Sequence, residues 1–205
     1  MRRCNLGKEL HILHRVFLSI ELPEALRRRV ALISERIVGL VPQAQNRLHL
    51  TVCFIGDVST NELDRLLRIK KKIEVPEFDV ELGKLTAIDL LHSRCWCIEV
   101  FPLGQMRVLN SLARKLLIGH GFGVEQVNYY PHITIGWPKA GEDTVEFDQS
   151  LVTKLCGVSF AVREVGIFES QSRDGSKVYE KRGGFGLLED TQDKAIRKFD
   201  LGLDR

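Results

Sequence analysis

RLHLTVCFIGD, residues 47–57, and PHITIGW, residues 131–137, decide how this chain folds. Both stretches are short apolar runs broken by a glycine, which is typical of a buried or half-buried β-strand. In each run a histidine is followed, two residues later, by a threonine. Because alternate side chains share a face of a strand, an imidazole and a hydroxyl lie side by side in both runs: His49 with Thr51, and His132 with Thr134.

The elements that flank these runs repeat in the same order. RVFLSIEL from Arg15 and CWCIEVF from Cys95 both indicate a strand, and Pro23 and Pro102 then each open a helical pattern. Corresponding landmarks, such as the two prolines and the two histidines, lie about 80 residues apart. The sequence therefore predicts an internal duplication.

Local signals bound the other elements. The helices that follow the prolines are predicted to reach about Val38 and about Gly119, and Ser59 caps a basic helix that ends near Lys72. Three further signals are the strand FDVELGKLTAID, the helical stretch EFDQSLVTKL, and a hairpin with the turn Asp174-Gly175.

These elements predict an α+β fold of two lobes, in which two mixed or antiparallel sheets flank a central cleft and the helices lie outside. We assign residues 1–14 to an N-terminal extension and residues 15–187 to a single two-lobed domain. The lobes cover roughly residues 15–94 and 95–187, and residues 188–205 form a charged C-terminal tail.

Composition favours a globular protein of a reducing compartment. The chain has 205 residues, 44% of them hydrophobic and 28% charged, so it can bury a sizeable core. Its net charge of +3 suits an anionic substrate but is too small to hold a long nucleic acid. The five cysteines are scattered, mostly in apolar segments, and no apolar run has the roughly 18 residues of a membrane span. We expect buried free thiols, no membrane contact and a cytoplasmic location.

The histidines of the two runs are the candidate catalysts. A lone histidine on an apolar strand is more often structural, but two copies on corresponding strands bring four polar groups to the interface of the lobes. Histidine titrates near pH 6.5, so one imidazole can be a neutral base and the other an acid. The remaining histidines have no second copy and are taken as structural: His11, His14, His92 and His120.

The repeated pattern of histidine, hydrophobic residue, threonine and hydrophobic residue resembles the signature of the two-histidine phosphoesterase superfamily. RVFLSIELP, HLTVCFIGD, PHITIG and the ending IFES…SKVYE are similar to its RNA 2′,3′-cyclic phosphodiesterase branch, once called 2′-5′ RNA ligases, over about residues 15–187. The resemblance implies a central cleft in which His49 and His132 share the acid and base roles and Thr51 and Thr134 bind the phosphate.

The resemblance further implies hydrolysis of RNA or oligonucleotide ends that carry a 2′,3′-cyclic phosphate, leaving a 2′-phosphate. It implies no metal or other cofactor, and a monomer. The order of the two histidine roles depends on how the substrate lies, and we favour His49 as the acid. Two alternatives stay open: the same chemistry on a small cyclic nucleotide or in 2′-5′ joining, and a nucleotide-binding module without catalysis.

Trp137 departs from the family pattern, because relatives often carry an arginine five residues after the second histidine. Arg47 or Lys139 can replace that phosphate contact, or the indole can stack on a base, or it can simply pack over the lobe edge. Strict alternation places Trp137 on the face opposite His132, although Gly136 can break the count.

Two other groups are given no site role. Tyr129 and Tyr130 either stack on the terminal nucleotide or pack at the lip of the cleft. The basic run from Arg65 to Lys72 is read as a solvated helix face.

Overall fold

The computed structural model describes residues 2–6, 9–90, 93–125, 128–141 and 145–189. Within these ranges the chain forms four α-helices and eleven β-strands. The helices are α1 (Glu24–Ser34), α2 (Thr60–Leu67), α3 (Leu103–Gly119) and α4 (Gln149–Thr153). The strands are β1 (Arg2–Leu6), β2 (Glu9–Glu21), β3 (Leu40–Pro42), β4 (His49–Ser59), β5 (Ile73–Pro76), β6 (Phe78–Leu90), β7 (Ser93–Phe101), β8 (His132–Pro138), β9 (Ser159–Val162), β10 (Glu164–Arg173) and β11 (Ser176–Leu188).

The helix α2 has the start that its sequence predicts but an earlier end. The Ser59 side chain accepts a hydrogen bond from the Glu62 backbone, and the Glu62 carboxylate accepts one from the Ser59 backbone, which is a capping box. The helix ends at Leu67, within the basic run rather than near Lys72, because Leu66 is its last buried side chain.

Helix α1 also ends early, at Ser34 rather than near Val38. The Ser34 hydroxyl donates to the Ala31 carbonyl at 2.8 Å, and the chain then turns through Gly39, whose φ of 83° suits glycine. The last predicted helix is a five-residue α4, whereas α3 ends at Gly119 as predicted.

The strands form one sheet in the order β5-β11-β10-β2-β4-β8-β7-β6-β9, with β1 on β2 and β3 on β8. Only the β11–β5 pair is parallel among the described strands. The α+β class and the mixed sheet are confirmed. The two predicted sheets meet where β4 pairs with β8, at Leu50 and Ile133, so they are continuous.

The duplication is visible as an exchange of strands. β6 follows the first run in the chain but pairs with β7 on the far side of the sheet, and β10 follows the second run but pairs with β2. Each half of the sequence therefore contributes a strand to both sides of the sheet, and the two histidine strands lie together at its centre.

The turn between β10 and β11 and the added strand β1 complete the sheet. Asp174 and Gly175 have φ values of 50° and 76° and connect β10 to β11, which confirms the predicted turn. Residues 2–6, which the sequence placed in an extension, form a strand paired with β2. The predicted tail lies outside the described residues from residue 190 onward.

The helices are exchanged in the same way as the strands. α1, from the first half, contacts β8, while α3, from the second half, contacts β4 and β5. Leu50, Ile133 and Leu109 are fully buried in the resulting core. The opposite face of β4 and β8 is left for the histidines.

Candidate active site

The two motifs lie on neighbouring antiparallel strands in a register with approximate two-fold symmetry. Leu50 of β4 pairs with Ile133 of β8. Continuing this register places each histidine across from the threonine of the other motif, so the two imidazoles are diagonal neighbours. The histidines and threonines are half-buried, whereas Leu50 and Ile133 are 0% exposed on the other face. The structure therefore brings together the four side chains that the sequence singled out.

Beyond the Leu50–Ile133 pair the two strands diverge, and groups from elsewhere satisfy the carbonyls of β4. The Asn110 side chain donates to the Val52 carbonyl at 2.7 Å, and the Tyr129 hydroxyl donates to the Thr51 carbonyl at 3.1 Å. Because buried carbonyls need hydrogen-bond partners, these two bonds take the place of backbone hydrogen bonds from a neighbouring strand. Tyr129 therefore has a structural role, since its hydroxyl holds the backbone of the first motif.

Backbone carbonyls set the same tautomer in both imidazoles. Nδ1 of His49 donates to the Arg47 carbonyl at 2.6 Å, and Nδ1 of His132 donates to the Tyr130 carbonyl at 2.7 Å. A carbonyl can only accept, so Nδ1 carries the proton and Nε2 holds the lone pair in the neutral ring. The Thr51 hydroxyl donates to Nε2 of His49 at 3.0 Å. Both rings are therefore preset as bases through Nε2.

Burial lowers the pKa of His49 and of His132, although the backbone hydrogen bond to each ring acts in the opposite direction. The charge of His132 further lowers the pKa of His49, so the two rings are close enough to titrate as a coupled pair. Protonating one ring makes protonation of the other harder. The lowered pKa values favour the neutral form of both rings near pH 7, so a singly protonated pair becomes more populated at lower pH.

Aromatic rings surround His49. The Phe17 and Tyr179 rings lie 5.1 and 5.2 Å from the imidazole, centroid to centroid, and Tyr179 meets it edge-on at 89°. Phe54 and Phe168 extend this wall through Phe17. Sequence reasoning missed Tyr179 as a site residue. Its signal was the SKVYE ending, quoted only for its family resemblance.

Thiols line the second motif. Cys97 pairs with Thr134 in the β7–β8 register, and the Cys95 thiol hydrogen-bonds to Thr134. Burial raises the pKa of both thiols, so they stay protonated at neutral pH. The prediction of buried free thiols holds for Cys53, Cys95 and Cys97, but Cys156 is exposed because it lies after the short α4 rather than in a strand.

Trp137 lies on the site face, because β8 contains an extra residue. Thr134 pairs with Cys97 and Gly136 pairs with Trp96, so Ile135 is a β-bulge. The bulge reverses the alternation, and Trp137 returns to the side of His132. Its placement on the opposite face by strict alternation is therefore wrong.

Arg47 and Gly136 explain two further features of the site edge. Burial raises the pKa of Tyr179, and the charge of Arg47 opposes this rise, which places the guanidinium near the aromatic wall. A Cβ on Gly136 would meet the Val41 carbonyl and lie 2.8 Å from Cγ of Leu40, so only glycine lets β3 approach β8.

The remaining histidines have other surroundings. His14 is buried against Glu169, and Nδ1 of His120 donates to the Leu116 carbonyl at 2.8 Å. Both contacts agree with a structural role. The side chain of His11 and the whole of His92 lie outside the described residues.

With this geometry in view, residues 17–95 match a family model described as LigT-like phosphoesterase. Over these residues the chain is similar to the LigT-like phosphoesterases. It is 24% identical over 172 residues to the RNA 2′,3′-cyclic phosphodiesterase of Methanocaldococcus jannaschii, an alignment that covers 81% of this chain and 96% of the relative. The resemblance to the two-histidine superfamily is confirmed. The matched family region contains the first motif and the alternation of strand, helix and strand that presents it.

Solved LigT-like structures share the fold. A crystal structure described as a phosphoesterase superposes with a TM-score of 0.70 at 23% identity, over 86% of this chain and 99% of that one. E. coli LigT complexed with 3′-AMP superposes with a TM-score of 0.67 at 23% identity, again over 86% and 99%. Among the helices of the described residues, none has the length and apolar character needed to cross a bilayer.

Proposed function

We propose that this chain hydrolyses 2′,3′-cyclic phosphates at the ends of RNA or oligonucleotides, with His49 and His132 as the acid and base. The observation that carries the proposal is the paired register of the two motifs, in which both imidazoles have the proton on Nδ1 and the lone pair on Nε2. The substrate class is supported by the relative named RNA 2′,3′-cyclic phosphodiesterase.

In the proposed reaction the neutral imidazole takes a proton from water through Nε2, and the water oxygen bonds to phosphorus. The bond from phosphorus to the 3′ oxygen breaks on the opposite side, and the imidazolium gives its proton to that oxygen. The products are a 2′-phosphomonoester and a free 3′ hydroxyl. Each ring ends in the other protonation state, and proton exchange with solvent restores the pair.

Thr51 and Thr134 are proposed to donate hydrogen bonds to the non-bridging phosphate oxygens. In the free protein their hydroxyls are held by Nε2 of His49 and by the Cys95 thiol. Exchanging these partners for phosphate oxygens costs little, because the hydroxyls are already ordered on the site face. Donors held in place in this way stabilise the negative charge that develops in the transition state.

We also propose that the reaction needs no metal, because both imidazoles are used as proton carriers. In the part of the chain that the structure describes, no three His, Cys, Asp or Glu side chains cluster as a metal site would require.

The test is incubation of the purified protein with a short oligonucleotide that ends in a 2′,3′-cyclic phosphate, in excess EDTA. We expect a product with a 2′-phosphate, identified by its resistance to a 3′-specific phosphatase and its mass gain of one water. Activity that appears only after adding a divalent metal would refute metal independence. Tight binding without turnover would indicate a nucleotide-binding module. Turnover of mononucleoside cyclic phosphates alone would move the substrate class to small nucleotides.

A further inference from the structure

Tyr130 makes three contacts that converge on the second motif. Its carbonyl accepts a hydrogen bond from Nδ1 of His132 at 2.7 Å. Its ring stacks on the imidazole, with centroids 6.2 Å apart and planes inclined by 26°. Its hydroxyl donates to Oε1 of Glu99 at 2.6 Å. One residue therefore holds the ring of His132 both from its edge and from its face.

Glu99 connects these contacts back to His132. In the β7–β8 register Glu99 lies directly across from His132. A hydroxyl-to-carboxylate bond of 2.6 Å is in the range of charge-assisted hydrogen bonds, which are stronger and more directional than neutral ones. Tyr130 precedes β8, so the hydroxyl anchor fixes a residue that the strand itself does not contain. Together these contacts connect the imidazole and the tyrosine to both β7 and β8.

The first motif has a different residue in the corresponding place. Arg47 lies two residues before His49, as Tyr130 lies two residues before His132, and its carbonyl accepts the same kind of hydrogen bond at 2.6 Å. An arginine has no ring to stack on the imidazole and no hydroxyl to donate to a carboxylate. His49 is packed instead by Phe17 and Tyr179. The tyrosine and glutamate arrangement is thus a property of the second motif.

We propose that Glu99 and Tyr130 are a positioning pair, which holds His132 with Nδ1 on the Tyr130 carbonyl and Nε2 toward the substrate. The inference rests on the proposed function. Neither residue touches the reacting atoms in this proposal, since both act through the imidazole. Glu99 serves as the hydrogen-bond acceptor that fixes the tyrosine.

The kinetic test compares Tyr130→Phe, Glu99→Leu and the double variant on the cyclic-phosphate oligonucleotide. Each single variant should lower kcat roughly five- to tenfold, as expected when one hydrogen bond that orients a catalytic group is lost, and should change KM little. The double variant should be no worse than either single variant, because both break the same link. Glu99→Gln keeps an acceptor and should recover most of the activity that Glu99→Leu loses.

A control variant separates positioning from a general loss of charge or packing. Asp89→Leu removes a carboxylate paired with Arg94 at 2.7 Å, on the same β6–β7 pair but at its exposed end. It should leave kcat unchanged. Thermal unfolding of every variant shows whether a lost rate reflects lost folded protein.

NMR of protein labelled with ¹⁵N-histidine tests the pair without reference to activity. In Tyr130→Phe and Glu99→Leu the His132 ring should lose its pure Nδ1–H tautomer, while the His49 signals stay as in the parent protein. An unchanged His132 tautomer, or losses of kcat that multiply in the double variant, would overturn the positioning pair. If the parent protein has no activity, the proposed function fails, and the His132 signals still decide whether the pair orients the ring.

Discussion

Glu169 is a buried carboxylate whose replacement should destabilise the protein without touching the chemistry. It is 1% exposed. Its Oε1 accepts from Nδ1 of His14 at 2.8 Å, and its Oε2 lies 2.5 Å from a guanidinium nitrogen of Arg182. Nε2 of His14 in turn contacts the Thr60 hydroxyl at 3.1 Å. The carboxylate therefore joins β2, β10, β11 and α2.

We expect Glu169→Leu to lower the free energy of unfolding by about 3 kcal/mol. Removing one partner of a buried ion pair costs about 3–5 kcal/mol, because the other charge is left buried. The lower figure applies since the Arg182 side chain is 33% exposed and can turn to water. His14, 7% exposed, cannot turn to water in the same way. At roughly 2–4 °C per kcal/mol for a chain of this size, Tm should fall by about 6–12 °C.

The effect should depend on pH with a defined sign. Burial raises the pKa of Glu169. The hydrogen bonds from His14 and Gln171 and the charges of His14 and Arg182 have the opposite and larger combined effect, so the pKa lies below its usual range. A depressed pKa gives stability that is present above the unfolded-state pKa of about 4.3 and is lost as the pH falls through the folded-state pKa. The difference between parent and variant should shrink below about pH 4.

Urea unfolding at pH 7 measures the effect, with Glu180→Leu as the control. Glu180 pairs with Arg173 at 3.0 Å on the same hairpin, but the two side chains are 44% and 59% exposed, so the loss should be under about 1 kcal/mol. Equal losses in the two variants would refute the argument from burial. A Glu169→Leu protein with parental stability and no activity would show that Glu169 belongs to the site.

Three further predictions concern the site itself. His49→Ala and His132→Ala should each lower kcat by roughly two to four orders of magnitude in steady-state assays while leaving Tm near the parental value, and a variant that unfolds would indicate a structural histidine. Burial lowers the pKa of both rings, so the protonated imidazole that serves as the acid is lost as the pH rises. A pH profile of kcat/KM should therefore peak below about pH 6.5 and then fall about tenfold per pH unit. A plateau to pH 8 would contradict this. Trp137→Ala should raise KM for an oligonucleotide, by a factor equivalent to about 1–3 kcal/mol of lost stacking, and should change kcat little. A lower Tm with unchanged KM would mean that the indole only packs against its neighbours.

Signals that are local in sequence predicted much of the fold. The helix cap at Ser59 and the turn at Asp174-Gly175 each depend on residues within three positions of one another, and both are present as predicted. Duplication also predicted that the two motifs come together at the interface of two equivalent lobes, although it did not predict that β4 and β8 pair in one sheet. These features need no knowledge of long-range packing.

The partners of the histidines depend on contacts between distant strands, and the sequence could not supply them. Tyr179 reaches His49 only because β10 returns to pair with β2, an exchange that no local pattern encodes. Tyr130 lies two residues from His132, but its role depends on Glu99, which comes from β7. Adjacency to a motif was the signal for Tyr130. Its orienting contact becomes visible only with the register of two strands.

Trp137 shows how one inserted residue changes a functional prediction. Alternation from His132 gave the wrong face because it assumes one residue opposite each partner, and the bulge at Ile135 places two residues opposite Trp96. Gly136 permits β3 to approach at that point, so the bulge and the close contact occur together. The irregularity in the β7–β8 pairing therefore turns the indole toward the site. We therefore predict that the substrate can reach Trp137, at the place where relatives often carry arginine. A flat ring there would favour contact with a base, whereas a guanidinium would favour contact with a phosphate.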